Sequence, residues 1–272
     1  VTITAGVPTI WLGVLAAQKK QPRDLSSLRL IVSGGSASPK GLISSYLEEL
    51  NIPYVNAYGM TETSPLVTMS YPLSNMDNYE KEDLLNLRVT QGLTVSLIDT
   101  EVVNEEGLVP WNGTTMGELR VRGPWIASEY YKDERSREAF KDGWLYTGDI
   151  AVVTKEGYIK ITDRTKDLIK SGGEWISSVD LENALMSHPA VFESAVIAVP
   201  HEKWQERPLA CVVLHEGASA TKEELLSSLE GQFAKWWIPD DVVFMNEIPK
   251  TSVGKFLKAQ LREDVKQLLS SS

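Results

Sequence analysis

The chain has 272 residues, with 27 basic and 37 acidic side chains and a formal net charge of −10. Hydrophobic residues make up 42% and charged residues 24%, which is typical of globular domains and excludes a disordered, collagenous or disulfide-stapled chain. The acidic balance argues against a general nucleic-acid binder, which needs a basic face. The single cysteine, Cys211, excludes an internal disulfide and favours a reducing, cytoplasmic compartment. The length predicts two domains.

The start of the chain has no initiating methionine, since it begins at Val1 and the first methionine is Met60. We therefore expect a piece of a longer protein. The longest apolar run contains glycine and proline and is too short to span a bilayer. It predicts a buried helix from about Pro8 to Lys20. Cytoplasmic localisation follows, with peripheral membrane association as an open alternative.

A strand–helix–strand pattern comes next and predicts a parallel sheet over residues 1–87. Leu28–Val32 and Tyr54–Asn56 are the short apolar strands. Between them, Ser38 is predicted to cap a helix that has Pro39 at its first position and continues to about Leu50.

Short alternating runs separated by turn clusters predict an antiparallel β subdomain over residues 88–163. The runs are Thr94–Ile98, Gly117–Val121, Ile150–Val153 and Tyr158–Ile161.

Helical and strand signals mix again over residues 164–272, which predict a small α+β domain. Two capping signals, Ser177 with Asp180 and Thr221 with Glu224, each indicate the start of a helix. Two apolar strands lie between them, and a final helix is predicted from about Phe256 to Leu269. The predicted fold class is therefore α/β plus α+β, with domains 1–163 and 164–272.

Two loops that follow the parallel strands offer groups suited to a nucleotide. Gly34, Gly35 and Ser36 follow the first strand, where glycines let a backbone approach a ligand closely. The second loop adds the Tyr58 ring and the neighbouring hydroxyl and carboxylate of Thr61 and Glu62, which suit phosphate and Mg²⁺. Taken alone, each loop is equally compatible with a polar turn.

Three later stretches carry further candidate groups. Asp149 follows a Thr-Gly turn and is placed to accept ribose hydroxyls, although a lone Gly-Asp is usually an exposed turn. The segment 163–176 combines cations with a glycine pair, and charge-dense linkers are commonly only solvated. Lys255 lies in a Gly-Lys turn before the last helix, where a lysine is usually a solvated charge.

The order and spacing of these stretches resemble those of the adenylate-forming enzymes, which include acyl-CoA synthetases, luciferases and the adenylation domains of peptide synthetases. The resemblance covers essentially the whole chain. Within the superfamily, Asp167–Glu182 and Pro200–Pro208 are similar to the bacterial and archaeal medium- to long-chain fatty acyl-CoA synthetases.

The resemblance implies a C-terminal half: the end of the large AMP-binding domain (1–163, with 1–87 as its βαβ part and 88–163 as its β subdomain) and a small mobile domain (164–272), with a hinge near 163–167. The Ser/Thr/Gly-rich loop whose lysine grips the ATP phosphates in these enzymes does not occur in 1–272. We therefore expect no turnover from the chain alone.

The implied activity is ATP-dependent fatty acid–CoA ligation with Mg²⁺, through an acyl-adenylate that CoA then attacks. Lys255, Thr61 and Glu62 are the implied catalytic residues, and Glu62 is the implied Mg²⁺ ligand. Lys166 is the implied hinge. The CoA passage is assigned to Gly172, Gly173 and Trp204. The implied nucleotide-binding residues are Gly34, Gly35, Ser36, Asn56, Ala57, Tyr58, Gly59, Met60, Thr61, Asp149, Arg164, Lys170 and Trp175.

Three alternatives remain open from the sequence. Within the superfamily, the protein is an aryl-CoA ligase or an adenylation domain that loads a carrier protein. Outside it, the piece is a non-catalytic nucleotide- or partner-binding fragment. A core face uncovered by the missing half would favour association, including a homodimer. The histidines show no zinc spacing and are expected to be structural, and Cys211 in its apolar strand is expected to be buried and inert.

Overall fold

The computed structural model describes residues 1–251 and 256–270. The chain divides into two compact units, Val1–Ile161 and the remainder from Thr162 onward.

The first unit opens with three parallel strands that place the chain's first two loops at one sheet edge. In strand order they are β1 (Ile3–Gly6), β2 (Leu30–Ser33) and β3 (Tyr54–Tyr58). The register pairs Gly6 with Ser33, and Ser33 with Asn56. Two short antiparallel strands, β4 (Thr68–Met69) and β5 (Leu93–Thr94), complete this sheet. The predicted parallel arrangement is confirmed.

Three α-helices accompany this sheet: α1 (Pro8–Lys20), α2 (Lys40–Ser44), which continues as a π-helical turn Ser45–Glu49, and α3 (Lys81–Arg88). Two 3-10 turns, Thr61–Thr63 and Ser74–Met76, lie between β3 and α3. The predicted bounds of the first helix are confirmed. Trp11 of α1, Ile31 of β2 and Tyr54 of β3 are buried in one core cluster, which ties the first two helices to the sheet.

The predicted cap at Ser38 is wrong. Pro39 has an extended backbone (ψ 140°), so α2 begins at Lys40 and no side chain caps it. The Ser38 hydroxyl turns inward instead, where it lies 2.9 Å from the Tyr54 hydroxyl and 3.2 Å from the Ser33 Oγ. A buried tyrosine hydroxyl needs a hydrogen-bond partner, and this need outweighs the capping preference of the serine.

The second sheet of this unit has the strand order β11-β10-β8-β6-β7, with β9 paired to β10. Its pairs β6–β7, β6–β8, β8–β10 and β9–β10 are antiparallel, as predicted. A short helix, α4 (Ser136–Ala139), precedes β9. The strands are β6 (Asp99–Asn104), β7 (Gly107–Leu108), β8 (Gly117–Arg122), β9 (Phe140–Lys141), β10 (Trp144–Val153) and β11 (Ile159–Arg164).

The strand predicted at Thr94–Ile98 is wrong, since only its first residue belongs to a strand and the long strand begins at Asp99. Leu97 adopts a left-handed backbone (φ +73°), which ends any extended run there. Val95 and Ile98 still pack into the core around Val102 and Leu119. The apolar pattern of Thr94–Ile98 therefore reflects burial in the core and not pairing with a neighbouring strand.

The second unit is built on five strands in the order β13-β12-β15-β14, with β16 parallel to β15. Helices α5 and α6 cover one face of this sheet through Leu181 and Leu225, and α7 covers the other through Leu261 and Val265. The elements are β12 (Ile169–Ser171), β13 (Glu174–Ile176), α5 (Ser178–Met186), β14 (Val191–His201), β15 (Gln205–Leu214), α6 (Lys222–Leu229), β16 (Asp241–Phe244) and α7 (Lys258–Ser270).

Both predicted helix caps in this unit are confirmed. The Ser177 hydroxyl accepts a hydrogen bond from the Asp180 amide at the start of α5, and Thr221 and Glu224 form a reciprocal capping box at the start of α6. Across residues 1–251 and 256–270, no helix combines the length and the apolar character needed to cross a bilayer.

Candidate functional site

The first two candidate loops lie beside each other because β2 and β3 are adjacent parallel strands. Gly34 follows β2 directly, and a Cβ added there would lie 3.0 Å from the Ala57 carbonyl oxygen. Gly35 has a left-handed backbone (φ +85°) that favours glycine. Gly35 and Ser36 are exposed at this edge. The close approach of the Ala57 carbonyl therefore favours glycine at Gly34, and the left-handed backbone favours it at Gly35.

The structure joins the second loop to the Thr-Gly-Asp turn by a direct contact. The Tyr58 hydroxyl donates to Asp149 Oδ2 at 2.5 Å, although the two residues are 91 positions apart. The β8–β10 register shifts between Tyr146 and Ile150, and Gly148 adopts φ +71° within this irregularity. The irregularity re-aims the carboxylate of a strand residue toward the edge of the other sheet. Three of the predicted nucleotide-binding stretches thus lie together in the first unit.

The loop that carries Thr61 and Glu62 is held by its own backbone. A Cβ at Gly59 would lie 1.6 Å from the Pro65 carbonyl oxygen, so only glycine fits this crossing. The Thr63 hydroxyl donates to the carbonyls of Met60 and Pro65 and accepts from the Met60 amide. This buried threonine, which the sequence pattern did not single out, makes the loop a preformed turn.

Glu62 receives a hydrogen bond that sequence reasoning missed. The Tyr130 hydroxyl donates to Glu62 Oε1 at 2.8 Å, from a residue 68 positions away. Burial, together with this hydrogen bond and the nearby carboxylate charge, raises the pKa of Tyr130 and keeps the hydroxyl protonated as a donor. The local sequence around Tyr130 contains no signal for this contact, which exists only once the segment between β8 and α4 packs against the Glu62 loop.

The donor set at this loop fits Mg²⁺ held largely by phosphate and water. It offers the half-buried carboxylate of Glu62 beside the exposed hydroxyl of Thr61. Within the described part of the chain, no group of three or more histidine, cysteine or acidic side chains forms a protein cage for a metal. Mg²⁺ commonly binds through one or two carboxylates plus substrate phosphates, and a single carboxylate of this kind suits it.

The side-chain nitrogen and the backbone groups of Asn56 form hydrogen bonds within the fold. Its side chain is buried, and Nδ2 donates to the carbonyls of Arg88 and Thr90 at 3.0 and 3.4 Å. Its backbone amide donates to the Ser70 hydroxyl, and its backbone carbonyl accepts from the Ser70 amide. Asn56 therefore fixes β3 against the chain that precedes β5, while Ala57, Tyr58, Gly59 and Met60 continue to the half-buried edge.

In the second unit, the predicted CoA-passage residues lie against each other. The Gly172 amide donates to the Trp204 carbonyl at 2.9 Å, and a Cβ at Gly172 would lie 2.8 Å from the Trp204 ring. Gly172 and Gly173 form the turn between β12 and β13, and both have left-handed backbones. His201 Nδ1 accepts from the amides of Lys203 and Trp204, so this histidine orders the turn that presents the indole.

A buried arginine also supports this surface. Arg207 donates to Asp240 Oδ1 at 2.7 Å, to the Ser171 hydroxyl at 3.2 Å and to the carbonyls of Trp236 and Ile238. Because Ser171 precedes the glycine pair, Arg207 fixes the base of the glycine turn. Arg207 lies in the segment Pro200–Pro208 that resembles the fatty acyl-CoA synthetases, but the sequence alone suggested no role for it.

The remaining candidates lie at the start of the second unit or outside the described residues. Arg164 ends β11 and is exposed, as is Lys166. Lys170 and Trp175 are paired across the β12–β13 hairpin. Lys255 lies outside the described residues. Cys211 is buried, as predicted, and burial raises the pKa of its thiol to about 12, which keeps it protonated and inert.

The chain belongs to the AMP-binding enzyme family, the adenylate-forming superfamily that its loops resemble. The model of the AMP-binding enzyme family matches residues 1–131, and that of the AMP-binding enzyme C-terminal domain matches residues 180–255.

Named relatives and a solved structure agree with this assignment. The chain is 51% identical over 270 residues to the long-chain-fatty-acid–CoA ligase of Thermus thermophilus, and this match covers 98% of the chain and 50% of the relative. It is 43% identical to the 3-methylmercaptopropionyl-CoA ligase of Ruegeria lacuscaerulensis, with 99% and 50% covered.

Among solved structures, the chain is similar to the o-succinylbenzoate CoA synthetase of Bacillus subtilis in complex with its acyl-adenylate intermediate. The TM-score is 0.81 at 31% identity, with 96% of this chain and 51% of that chain covered. The chain thus spans about half the length of the relatives it matches.

Proposed function

We propose that the protein is the C-terminal portion of an ATP-dependent fatty acid–CoA ligase. The contact between Tyr58 and Asp149 carries this proposal, because it gathers an aromatic ring and a ribose-binding carboxylate at one edge beside Gly34 and Gly35. The 51% identity to a long-chain-fatty-acid–CoA ligase supports the choice of acid.

The nucleotide is proposed to lie along the edge formed by the two loops. Gly34, Gly35 and Ser36 line the adenine, Tyr58 stacks on it, and Asp149 accepts the ribose hydroxyls. Hydrogen bonding to Asp149 holds the Tyr58 ring in one orientation, so the stacking surface is preorganised. Ala57, Gly59 and Met60 are proposed to border the nucleotide beside Tyr58, and Asn56 is proposed to hold β3 in place behind them. Arg164, Lys170 and Trp175 are proposed to approach the nucleotide from the second unit.

In the first step, the fatty acid carboxylate attacks the α-phosphate of ATP and pyrophosphate leaves. Both reactants are anions, so cations must offset their repulsion and the charge of the transition state. Mg²⁺, when bound at Glu62, supplies charge neutralisation at the phosphates. Thr61 is proposed to donate its hydroxyl to a phosphate oxygen. Lys255 is proposed to bridge the attacking carboxylate and the α-phosphate.

In the second step, the CoA thiolate attacks the acyl carbon and AMP leaves. The small domain is proposed to turn about Lys166 between the steps. Gly172 and Gly173 then border the passage for the pantetheine arm, since they lack side chains, and the Trp204 indole lines its wall. The packing of Gly172 on Trp204 supports this grouping.

The two half-reactions separate the proposed roles in the full-length enzyme. Lys255→Ala is expected to abolish fatty-acid-dependent ATP–pyrophosphate exchange while sparing thioester formation from supplied acyl-adenylate and CoA. Lys250→Gln is the matched control, because Lys250 lies in the same segment but pairs with Glu193. Equal loss of both half-reactions in Lys255→Ala would contradict the role of this lysine.

A substrate panel tests the acid. The 43% identity to a 3-methylmercaptopropionyl-CoA ligase favours including a short thioether acid beside fatty, aryl and amino acids. Fatty acids of medium or long chain are expected to give the highest kcat/KM. Exchange that depends on amino acids or on aryl acids alone would replace the proposal by one of its alternatives.

A further inference from the structure

The Thr-Gly-Asp turn of the first unit interrupts the pairing of β8 with β10. The register pairs Tyr146 with Arg120 and resumes with Ile150 opposite Glu118, so residues 147–149 lie opposite the one residue between Glu118 and Arg120. An irregularity of this kind disrupts the hydrogen-bond ladder, and buried backbone groups that leave the ladder need other partners. The turn therefore depends on side chains for some of its hydrogen bonds.

Thr147 and Glu118 supply these side-chain partners. The Thr147 hydroxyl donates to the Leu119 carbonyl at 2.8 Å and accepts from the Asp149 amide at 3.1 Å. The Gly148 amide donates to Glu118 Oε1 at 3.1 Å. Three backbone groups at the turn thus bind side chains.

The contact from Glu118 differs from the others because it reaches the turn from another strand. Glu118 belongs to β8 and lies 30 positions before Gly148. Gly148 has a left-handed backbone (φ +71°), and a Cβ added there would meet no atom within 4 Å. Glycine is therefore favoured here by its backbone conformation and not by crowding. Glu118 holds the amide of the residue that has this unusual conformation.

The carboxyl group of Glu118 lies in an unfavourable electrostatic environment. Partial burial raises the pKa of Glu118, and the charge of Asp149 raises it further, whereas the Gly148 hydrogen bond and the charge of Lys141 lower it. A second carboxylate near Asp149 destabilises the folded chain through desolvation and repulsion. The hydrogen bond to the turn is the favourable contact that a glutamate makes at this position.

The side chain of Asp149 is held separately from its backbone. Only 2% of Asp149 is exposed, and its Oδ2 accepts from the Tyr58 hydroxyl at 2.5 Å. The backbone that carries this carboxylate is held by Thr147 and, at Gly148, by Glu118. A shift of this backbone would therefore move the carboxylate relative to the Tyr58 ring.

We propose that Glu118 is a positioning residue for nucleotide recognition, which holds the turn so that the Asp149 carboxylate meets the ribose hydroxyls. This rests on the proposed function, in which Asp149 binds the ribose and the Tyr58 ring stacks on the adenine. Glu118 acts through the Gly148 amide and not by contact with the nucleotide. Its loss weakens those nucleotide contacts that depend on the position of Asp149.

Amide hydrogen exchange of the 272-residue chain, followed by NMR, tests the contact without any assay of activity. Glu118→Leu removes the acceptor but keeps a side chain of similar size, and it is expected to speed exchange of the Gly148 amide by about five-fold or more. Glu118→Gln keeps an acceptor oxygen and is expected to leave this rate nearly unchanged. Asp99→Leu is the matched control, because Asp99 pairs with Arg122 across β6 and β8 and not with the turn.

The amides of the β6–β8 ladder report the stability of the sheet as a whole. Equal acceleration of these amides and of Gly148 in Glu118→Leu would mean that Glu118 only stabilises the sheet, and the proposal would fail. Unchanged exchange of Gly148 in the folded variant would also overturn it. Glu118→Ala decides the matter if Glu118→Leu fails to fold.

A comparison of two nucleotides in the full-length enzyme tests the role in recognition. Fatty-acid-dependent pyrophosphate exchange is measured with ATP and with 2′,3′-dideoxy-ATP, which lacks both ribose hydroxyls. Glu118→Leu is expected to lower kcat/KM for ATP by about ten-fold and to leave that for the dideoxy nucleotide nearly unchanged, since only ATP binds through Asp149. Glu118→Gln is expected to keep the discrimination of the native enzyme.

An equal fall of kcat/KM for both nucleotides in Glu118→Leu would indicate a structural role only and would overturn the proposal. A native enzyme that treats the two nucleotides alike would refute the ribose role of Asp149 and, with it, the role of Glu118 in recognition. An enzyme that forms no acyl-CoA would refute the proposed function. In both of these cases, exchange of the Gly148 amide still decides whether Glu118 holds the turn.

Discussion

Lys258 and Glu182 form an ion pair whose removal tests how the second unit is held together. Their side chains are 10% and 8% exposed, and the Nζ–Oε1 distance is 2.6 Å. Lys258→Met leaves the Glu182 carboxylate buried without its cation, and removal of one partner of a buried pair costs about 3–5 kcal/mol. The pair Lys222–Asp241 has a similar distance, 2.7 Å, but its side chains are 44% and 47% exposed. Lys222→Met is therefore expected to cost about 0–1 kcal/mol.

Urea unfolding of the 272-residue chain, followed by tryptophan fluorescence, measures both variants. The double variant Lys258→Met/Glu182→Leu is expected to recover a large part of the loss, since it removes the unpaired charge as well. Burial raises the pKa of Glu182, while Lys258 lowers it. Without Lys258 the folded state holds a proton on Glu182 more readily than the unfolded state does. The loss in Lys258→Met should therefore shrink as the pH falls.

The reasoning would be refuted if Lys258→Met and Lys222→Met cost the same within error. It would also fail if the double variant were no more stable than Lys258→Met alone, because the unpaired carboxylate would then not be the source of the loss.

Three further variants test other parts of the structure. Gly59→Ala forces a Cβ against the Pro65 carbonyl and is expected to lower the free energy of unfolding in urea by about 1–3 kcal/mol. The control is Gly41→Ala in helix α2, whose added Cβ meets no atom within 4 Å and which is expected to be neutral or stabilising. Equal effects of the two substitutions would contradict the close crossing at Gly59. Tyr130→Phe removes the hydrogen-bond donor to Glu62. In the full-length enzyme it is expected to raise several-fold the Mg²⁺ concentration that half-saturates pyrophosphate exchange, equivalent to about 1 kcal/mol. An unchanged Mg²⁺ dependence would contradict the role of Tyr130 in positioning the Glu62 carboxylate. Cys211→Ala is expected to make the free energy of unfolding less dependent on pH. Above its ordinary pKa the thiol ionises in the unfolded chain, whereas in the folded chain, where its pKa is about 12, it stays protonated. Through this group the native chain therefore loses about 1.4 kcal/mol of unfolding free energy per pH unit. Identical slopes for variant and native chain between about pH 9 and 11 would contradict the burial argument.

The sequence predicted correctly those structural features that depend only on residues a few positions apart. The caps at Ser177 and Thr221 were predictable because a hydroxyl and the amide three residues later are bound within one turn. The cap at Ser38 was not, because its hydroxyl has a competing partner in Tyr54, 16 positions away. The same limit explains Thr94–Ile98, where Val95 and Ile98 pack into the core on either side of the left-handed Leu97 and no strand forms.

The sequence by itself determined the class of protein, the order of its loops and the residue types at the candidate site. Glycines, helix caps and motif spacing set the geometry of short segments, and that geometry depends little on how the segments pack together. The tertiary structure decided which of those residues act together. Tyr58 meets Asp149 across 91 positions, and Arg262 meets Asp167 across 95. Such pairs depend on how sheets and helices pack, and no local pattern in either partner encodes the other.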